Sequence, residues 1–249
     1  MDLNADLGEG FGAWRLGDDD ALLSIVTSAN VASGFHAGDP STMRRVCAVA
    51  IARGVCVGAQ VGYRDLAGFG RRRIDYDHDE LRDDVVYQIA ALDGFCRVAG
   101  GRVRYVKPHG ALYNTAAVDE GQASAIVASI VEYDHTLPVL CLPGSVLARI
   151  AASAGIRVIA EGYADRAYEA DGTLVPRGRP GAVLSDVDTV VARTIRMAVD
   201  GSVATHDGAV IGCAVESICL HGDTPGAVTM AQRARAALLE AGVPLAPFA

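Results

Sequence analysis

Lysine is all but absent from this 249-residue chain: of its 22 Lys and Arg residues, only Lys107 is a lysine. A surface of interchangeable ammonium groups is thereby excluded, and one position stands apart. An ammonium is a compact charge whose pKa can be moved far enough to exchange protons, which a guanidinium cannot do. An excess of positive charge is lacking too. A formal charge of -8 and a pI near 5.2 argue against a nucleic-acid or anionic-membrane partner. The run Arg71-Arg72-Arg73 is too short to reverse that balance. Hydrophobic residues reach 51% and the mean hydropathy is +0.24, yet charge or glycine breaks every apolar stretch well before the ~20 residues of a spanning helix. The opening residues Met1 to Asp6 carry neither a basic n-region nor an apolar h-region, so a cytoplasmic location is expected.

Paired cysteines are missing as well. Cys47, Cys56, Cys96, Cys141, Cys213 and Cys219 are scattered through apolar segments without a C-x-x-C pair. This excludes a disulfide framework or a cysteine-built zinc site and fits buried, reduced thiols. No G-x-x-x-x-G-K-[ST] loop occurs, and Gly8 and Gly10 do not sit in a strand-to-helix G-x-G-x-x-G setting. Neither common nucleotide-binding loop is therefore read here.

What is present is a repeated alternation of short apolar runs and helical stretches. Val103 to Val106 reads as a buried strand that Pro108 and Gly110 stop, leaving Lys107 and His109 at its end. Other strands are predicted at the chain start, at 55–60, 138–142, 157–161 and 217–220. Helices are predicted over about 18–25, 40–54, 79–99, 124–133, 186–199 and 225–241. A small hairpin is expected at 203–210, turning at Asp207-Gly208. Asp39 before Pro40 has the form of a helix N-cap. The Pro- and Gly-rich segment 167–184 cannot be a regular helix and has the character of a lid or binding loop.

About seven strand-then-helix units with no composition break predict one α/β domain over 1–249, a parallel sheet covered by helices. The small and β-branched strand residues favour closure into a barrel. In such barrels chemistry collects at the carboxyl ends of the strands. Those ends carry Asp6 and Glu9, His36 and Asp39, Gln60 and Asp65, Lys107 and His109, Ser145, Glu161 with Asp165 and Arg166, and His221 with Asp223. Single members have structural explanations, but a polar active face is expected from their joint placement. His78, His135 and His206 read as solvated surface residues.

Six motifs resemble one family. They are Asp2-Leu3-Asn4-Ala5-Asp6-Leu7-Gly8-Glu9; Ser28-Ala29-Asn30 with Gly34-Phe35-His36-Ala37-Gly38-Asp39; Gly68-Phe69-Gly70-Arg71-Arg72; Lys107-Pro108-His109-Gly110-Ala111-Leu112-Tyr113-Asn114; Ala164-Asp165-Arg166; and Cys219-Leu220-His221-Gly222-Asp223. In this order, across the whole chain, they are similar to the LamB/YcsF family. The resemblance implies an irregular seven-stranded parallel β/α barrel of the deacetylase-like kind. It also implies the role of the A subunit in an ATP-dependent 5-oxoprolinase. With partner subunits B and C, that enzyme opens 5-oxo-L-proline to L-glutamate, ATP being a co-substrate handled through the partners.

Residue roles follow from it as expectations. Lys107, His109, Asp6, His36, His221 and Asp165 are the expected catalytic groups. Glu9, Asn30, Asp39, Glu161, Arg166 and Asp223 are expected to bind substrate, and no metal ligand is assigned. Lys107 and Arg166 would hold a carboxylate or phosphoryl oxygen, and a histidine would move protons. The chain departs from the family pattern at Gln60, where a histidine is usual, and at Glu216-Ser217, where Asp-Thr is usual. Gln60 cannot exchange a proton near neutral pH. Two alternatives stand beside this reading. One is a lone metal-dependent amide or ester hydrolase with Asp6, His36 and His109 around a divalent ion. The other is a non-catalytic binding subunit of a carboxylase-like complex.

Overall fold

Seven parallel strands close on themselves in the order β1 (Asp2–Leu7), β2 (Ser28–Ala32), β3 (Cys56–Val61), β4 (Tyr105–Pro108), β5 (Val139–Cys141), β6 (Val158–Tyr163) and β9 (Ser217–Leu220). The structure is a computed structural model, and it describes residues 1–223 and 226–249. Between β6 and β9 lies a small antiparallel hairpin of β7 (Ser202–Ala204) and β8 (Val210–Gly212). The barrel is irregular at β5, which meets β4 through the single register pair Val106↔Val139.

Eight helices cover the barrel: α1 (Asp19–Leu22), α2 (Pro40–Ala52), α3 (His78–Val98), α4 (Gly110–Ala116), α5 (Glu120–Asp134), α6 (Val146–Ser153), α7 (Val187–Ile195) and α8 (Ala227–Glu240). Asp39, Asp77, Asp119, Ser145 and Asp186 each accept a backbone N–H at a helix start, which satisfies donors that the first turn leaves unpaired. The expected seven-stranded barrel is thus the fold. Some boundaries differ. The short helix α4 directly after His109 was not foreseen, α5 starts four residues earlier than expected, and α1 is a single turn. The last helix is seen from Ala227, and the expected start at Pro225 lies outside the described residues.

Strand β1 explains how the barrel is filled. It reads Asp2-Leu3-Asn4-Ala5-Asp6-Leu7, an alternation that would ordinarily mean one wet face, yet all six residues are buried. Leu3, Ala5 and Leu7 join Val31, Val57, Val106 and Ile218 in the apolar layer beneath the helices. Asp2, Asn4 and Asp6 turn into the lumen. There the Ser217 hydroxyl bonds the Asp2 carboxylate, Asn4 Nδ2 donates to Ser217 Oγ at 2.6 Å, and Asn30 Nδ2 donates to Asn4 Oδ1 at 2.7 Å. Tyr105 Oη donates to Asn30 Oδ1 at 2.6 Å. A small apolar cluster of Cys56, Tyr105, Leu140 and Ile159, packed by Phe248, closes the amino-terminal end of the barrel.

The segment 167–184 folds back on itself through the bridges Arg166↔Val183 and Tyr168↔Leu174. The Arg166 guanidinium ties it, donating to the carbonyls of Ala182 at 3.1 Å and Val175 at 2.6 Å.

Candidate active site

The carboxyl ends of the strands converge on two connected spaces. An outer cleft of about 640 Å³ is bordered by Glu9, His36, Phe69, Arg71 and Asp223 together with the apolar residues Trp14 and Leu16. Beneath it is an inner chamber of only about 20 Å³, lined by Asp6, Lys107, His109, Tyr113, Arg166 and His221 among others.

Lys107 stands at the floor of the chamber. Its side chain is 1% exposed, with Nζ 2.7 Å from Glu161 Oε1, 3.1 Å from Asp6 Oδ1 and 3.2 Å from Cys219 Sγ. Burial alone would depress its pKa, but the Asp6 carboxylate and then Glu161 outweigh that and hold it well above the ordinary lysine value. Lys107 is therefore an ammonium at neutral pH, and the proton exchange that a lone lysine suggested is not available to it. Burial also opposes ionisation of Asp6, yet Lys107 holds that carboxyl below its usual range. Cys219 is a buried thiol pushed well above its ordinary pKa by burial, which removes it as a nucleophile.

Asp165 and His221 form a second unit. The Asp165 carboxylate accepts the backbone N–H of His221 at 3.0 Å and lies 2.9 Å from its Nδ1. Burial raises the Asp165 pKa, but the adjoining imidazole and N–H prevail and lower it. An ionised carboxylate at Nδ1 fixes the tautomer and leaves Nε2 to exchange a proton with whatever occupies the chamber.

The third unit is a stack of two imidazoles. The rings of His36 and His109 lie 4.0 Å apart and nearly parallel, with Phe69 edge-on to both. Burial holds His36 down to about 4 and His109 well below its ordinary value, so both are neutral at pH 7. Two glycines make room for the stack. A Cβ on Gly62 would come within 2.6 Å of His36 Nδ1, and one on Gly70 would lie 2.8 Å from His36 Cβ and 3.0 Å from His109 Nδ1. Gln60, at the position of the family's histidine, reaches His36 Nε2 through its Oε1 at 3.1 Å.

Glu9 Oε1 lies 3.7 Å from His109 Nε2, and Glu9, His36 and His109 offer ligand atoms within 4.8 Å of one another. One carboxylate with two neutral imidazoles is a donor set that fits a divalent ion of the zinc class. The buried Nδ1 atoms of both histidines also have no hydrogen-bond partner among the described residues. The acid in this set is Glu9 and not Asp6, whose carboxylate is committed to Lys107 and Asn30. Burial and the nearby Asp6 raise the Glu9 pKa well above the usual value.

Of the residues expected to act, Asp6, Lys107, His109, His221 and Arg166 line the inner chamber, with Asp165, Glu161 and Asn30 directly behind them. Glu9, His36 and Asp223 border the outer cleft. Asp39 does not join them. Its carboxylate accepts from the N–H groups of Ser41, Thr42 and Gly12 at 2.8, 3.0 and 2.9 Å, so it caps α2 and anchors the first loop. Asp65 likewise caps a short turn and pairs with Arg72, and Ser145 caps α6. Sequence reasoning passed over Tyr113 and Arg71. Tyr113 lies one helical turn after His109 on the same face, and this i, i+4 spacing was its available signal. Arg71 was hidden in a three-arginine run read as surface.

A closed β/α barrel with acid–base groups gathered at its strand ends defines a deacetylase-like barrel protein. The fold is shared with a family 4 carbohydrate esterase from Streptomyces lividans, 12% identical with a TM-score of 0.51, over 99% of this chain and 90% of that one. That likeness speaks for the fold alone. The chain belongs to the LamB/YcsF family, whose sequence model matches residues 1–249. It is 59% identical over 249 residues to the 5-oxoprolinase A subunit of Streptomyces avermitilis, covering all of both chains. The corresponding 5-oxoprolinase A subunit of Mycobacterium avium is 57% identical over 248 residues, covering 100% of this chain and 98% of that one. A lactam utilization protein from Thermus thermophilus superimposes with a TM-score of 0.94 at 41% identity, over 100% of this chain and 99% of that one. Among the described residues no helix is long and apolar enough to cross a membrane.

Proposed function

We propose that this chain is the A subunit of an ATP-dependent 5-oxoprolinase and opens the lactam of 5-oxo-L-proline to L-glutamate together with partner subunits B and C. The observation that carries this reading is identity of 59% running end to end with a relative of that name. The site supports it chemically. A lactam is an amide, and opening it requires an activated water, a place for the developing oxyanion, and a proton for the leaving nitrogen. ATP enters through the partners, which transfer its terminal phosphoryl group to the lactam oxygen and release ADP. Water then adds to the activated ring carbon, giving a proton to His221 Nε2. The ring C–N bond breaks as the nitrogen takes that proton back, and a second water releases phosphate and glutamate. Asp165 holds the imidazole and stabilises its cationic form. Lys107, kept charged by Asp6 and Glu161, offsets negative charge at the chamber floor. A divalent ion, when bound by Glu9, His36 and His109, would supply Lewis-acid polarisation of an oxygen.

Glutamate release from 5-oxo-L-proline and ATP, measured with this chain alone and with subunits B and C, tests the proposal. Release only from the full mixture is expected. Silence of the full mixture with folded protein would overturn it. The stand-alone amide or ester hydrolase is the second reading, favoured by the Glu9–His36–His109 donor set. It requires turnover by this chain alone that depends on metal and not on ATP.

A further inference from the structure

The two cations that the sequence offers as holders of an anion are already committed. Lys107 is enclosed by Glu161, Asp6, Cys219 and Asn4, and the Arg166 guanidinium is bound to two backbone carbonyls of the 167–184 segment. A carboxylate entering the site needs a cation that can change partner. Arg71 meets that requirement. It lines both the outer cleft and the inner chamber, and its side chain is 33% exposed. Among the described residues its one carboxylate partner is Asp223, at 2.6 Å. The guanidinium lies over the Phe69 ring, 4.8 Å from the centroid.

The backbone beneath it is fixed. Phe69 and Gly70 hold left-handed φ angles of 55° and 64°, and Gly70 O accepts the Ala111 N–H at 2.8 Å, so the side chain is the part free to swing. The chamber, at about 20 Å³, has room for one water and not for a five-membered lactam. Its lining must give way before substrate reaches His221. The chamber is nonetheless equipped for a polar guest: Tyr113 Oη and His109 Nδ1 are buried there without a hydrogen-bond partner among the described residues.

We propose that Arg71 is the specificity-determining residue for the substrate carboxylate, which replaces Asp223 as the partner of its guanidinium and in doing so opens the chamber. The assignment rests on the lactam reading above. The exchange is one carboxylate for another, so no guanidinium is left unpaired at any stage. A planar fork matched to a carboxylate also orients the ring, which a point charge would not do. A lactam without the carboxylate gains nothing from Arg71 and leaves the Arg71–Asp223 pair shut.

The test is titration calorimetry of the full chain with 5-oxo-L-proline and with 2-pyrrolidinone, the same ring lacking the carboxylate. Arg71→Met is expected to weaken 5-oxo-L-proline roughly tenfold to hundredfold, the loss of a charged hydrogen bond, and to leave 2-pyrrolidinone unchanged. Arg71→Lys should recover part of the loss. Asp223→Asn, which removes the competing carboxylate, should tighten 5-oxo-L-proline. Equal binding of 5-oxo-L-proline by wild type and Arg71→Met overturns the assignment, as does equal weakening of both ligands. Asp223→Asn binding as poorly as Arg71→Met also overturns it. A wild type that binds neither ring overturns the lactam reading itself, and the assignment with it. If Arg71→Met melts early, the opposite sign expected of Asp223→Asn decides the matter.

Discussion

Replacing Lys107 by methionine removes the ammonium between Asp6 and Glu161 while nearly keeping its volume. The two ion pairs, at 3.1 and 2.7 Å, are each worth about 5 kcal/mol of attraction at an effective dielectric constant of ~20, set against the desolvation of all three groups. Breaking such a buried arrangement from one side costs about 3–5 kcal/mol, because the remaining carboxylates stay buried without their counter-ion. A chain of 249 residues has an unfolding entropy of about 0.5 kcal/mol/K, so the melting temperature should fall by about 6–10 °C. The pH dependence has a definite sign. In the wild type Asp6 is held below its unfolded pKa, so its contribution is present above that value and is lost only as acid protonates the folded form. Without Lys107, burial acts unopposed and raises the carboxyl pKa. The folded variant then binds protons more readily than its unfolded chain and gains relative stability as pH falls. Urea unfolding followed by circular dichroism at pH 7 and pH 5 measures both effects. A loss below about 1 kcal/mol at pH 7, or a gap that does not narrow at pH 5, refutes the reasoning. So does a Lys107→Met/Glu161→Gln double variant no more stable than the single one.

The remaining sites give sharper contrasts. Gly62→Ala should cost about 1–3 kcal/mol in stability and at least tenfold in ring opening, because its methyl would overlap His36 Nδ1; a variant with normal kinetics would show the stack to be dispensable. Asp165→Asn should lower kcat by about a hundredfold to ten-thousandfold with little effect on melting, and parallel losses of kcat and stability would make the dyad a packing element. Asp39→Ala should lower stability by about 1 kcal/mol and leave 5-oxo-L-proline binding unchanged. The Asp39 pKa is lowered from 3.8 to about 2, chiefly by the Thr42 and Gly12 N–H groups. Its stabilising contribution is therefore present above pH 3.8 and lost as pH falls toward 2, and acid titrations of wild type and variant should converge in that window.

Much of this architecture could be read from the chain because each strand end is marked. Pro108 and Gly110 stop β4 just beyond Lys107, and His221 follows β9 directly, so polar residues declare themselves at the carboxyl edge. Local pattern does not say which of two neighbouring polar groups turns inward. His36 and Asp39 are three residues apart, yet one enters the imidazole stack and the other caps α2. The β1 alternation was equally silent about its surroundings, since a barrel lumen and bulk water select the same residue types. Partnerships such as Lys107 with Glu161, or Arg71 with Asp223, join residues 54 and 152 positions apart. They depend on the register of the closed sheet, which no short stretch encodes.

The lumen of the barrel carries a consequence for how sequences of this family change. Its contents are hydrogen-bonded partners rather than interchangeable aliphatic side chains: Asp2 with Ser217, Ser217 with Asn4, Asn4 with Asn30, Asn30 with Tyr105. A single replacement strands the neighbour's donor or acceptor in a dry interior at a cost of about 1–3 kcal/mol, a large share of a marginal total. Drift at these positions is thereby confined to coordinated pairs, and positions 2 and 217, or 4 and 30, should vary together or stay fixed together while the apolar residues between them exchange freely.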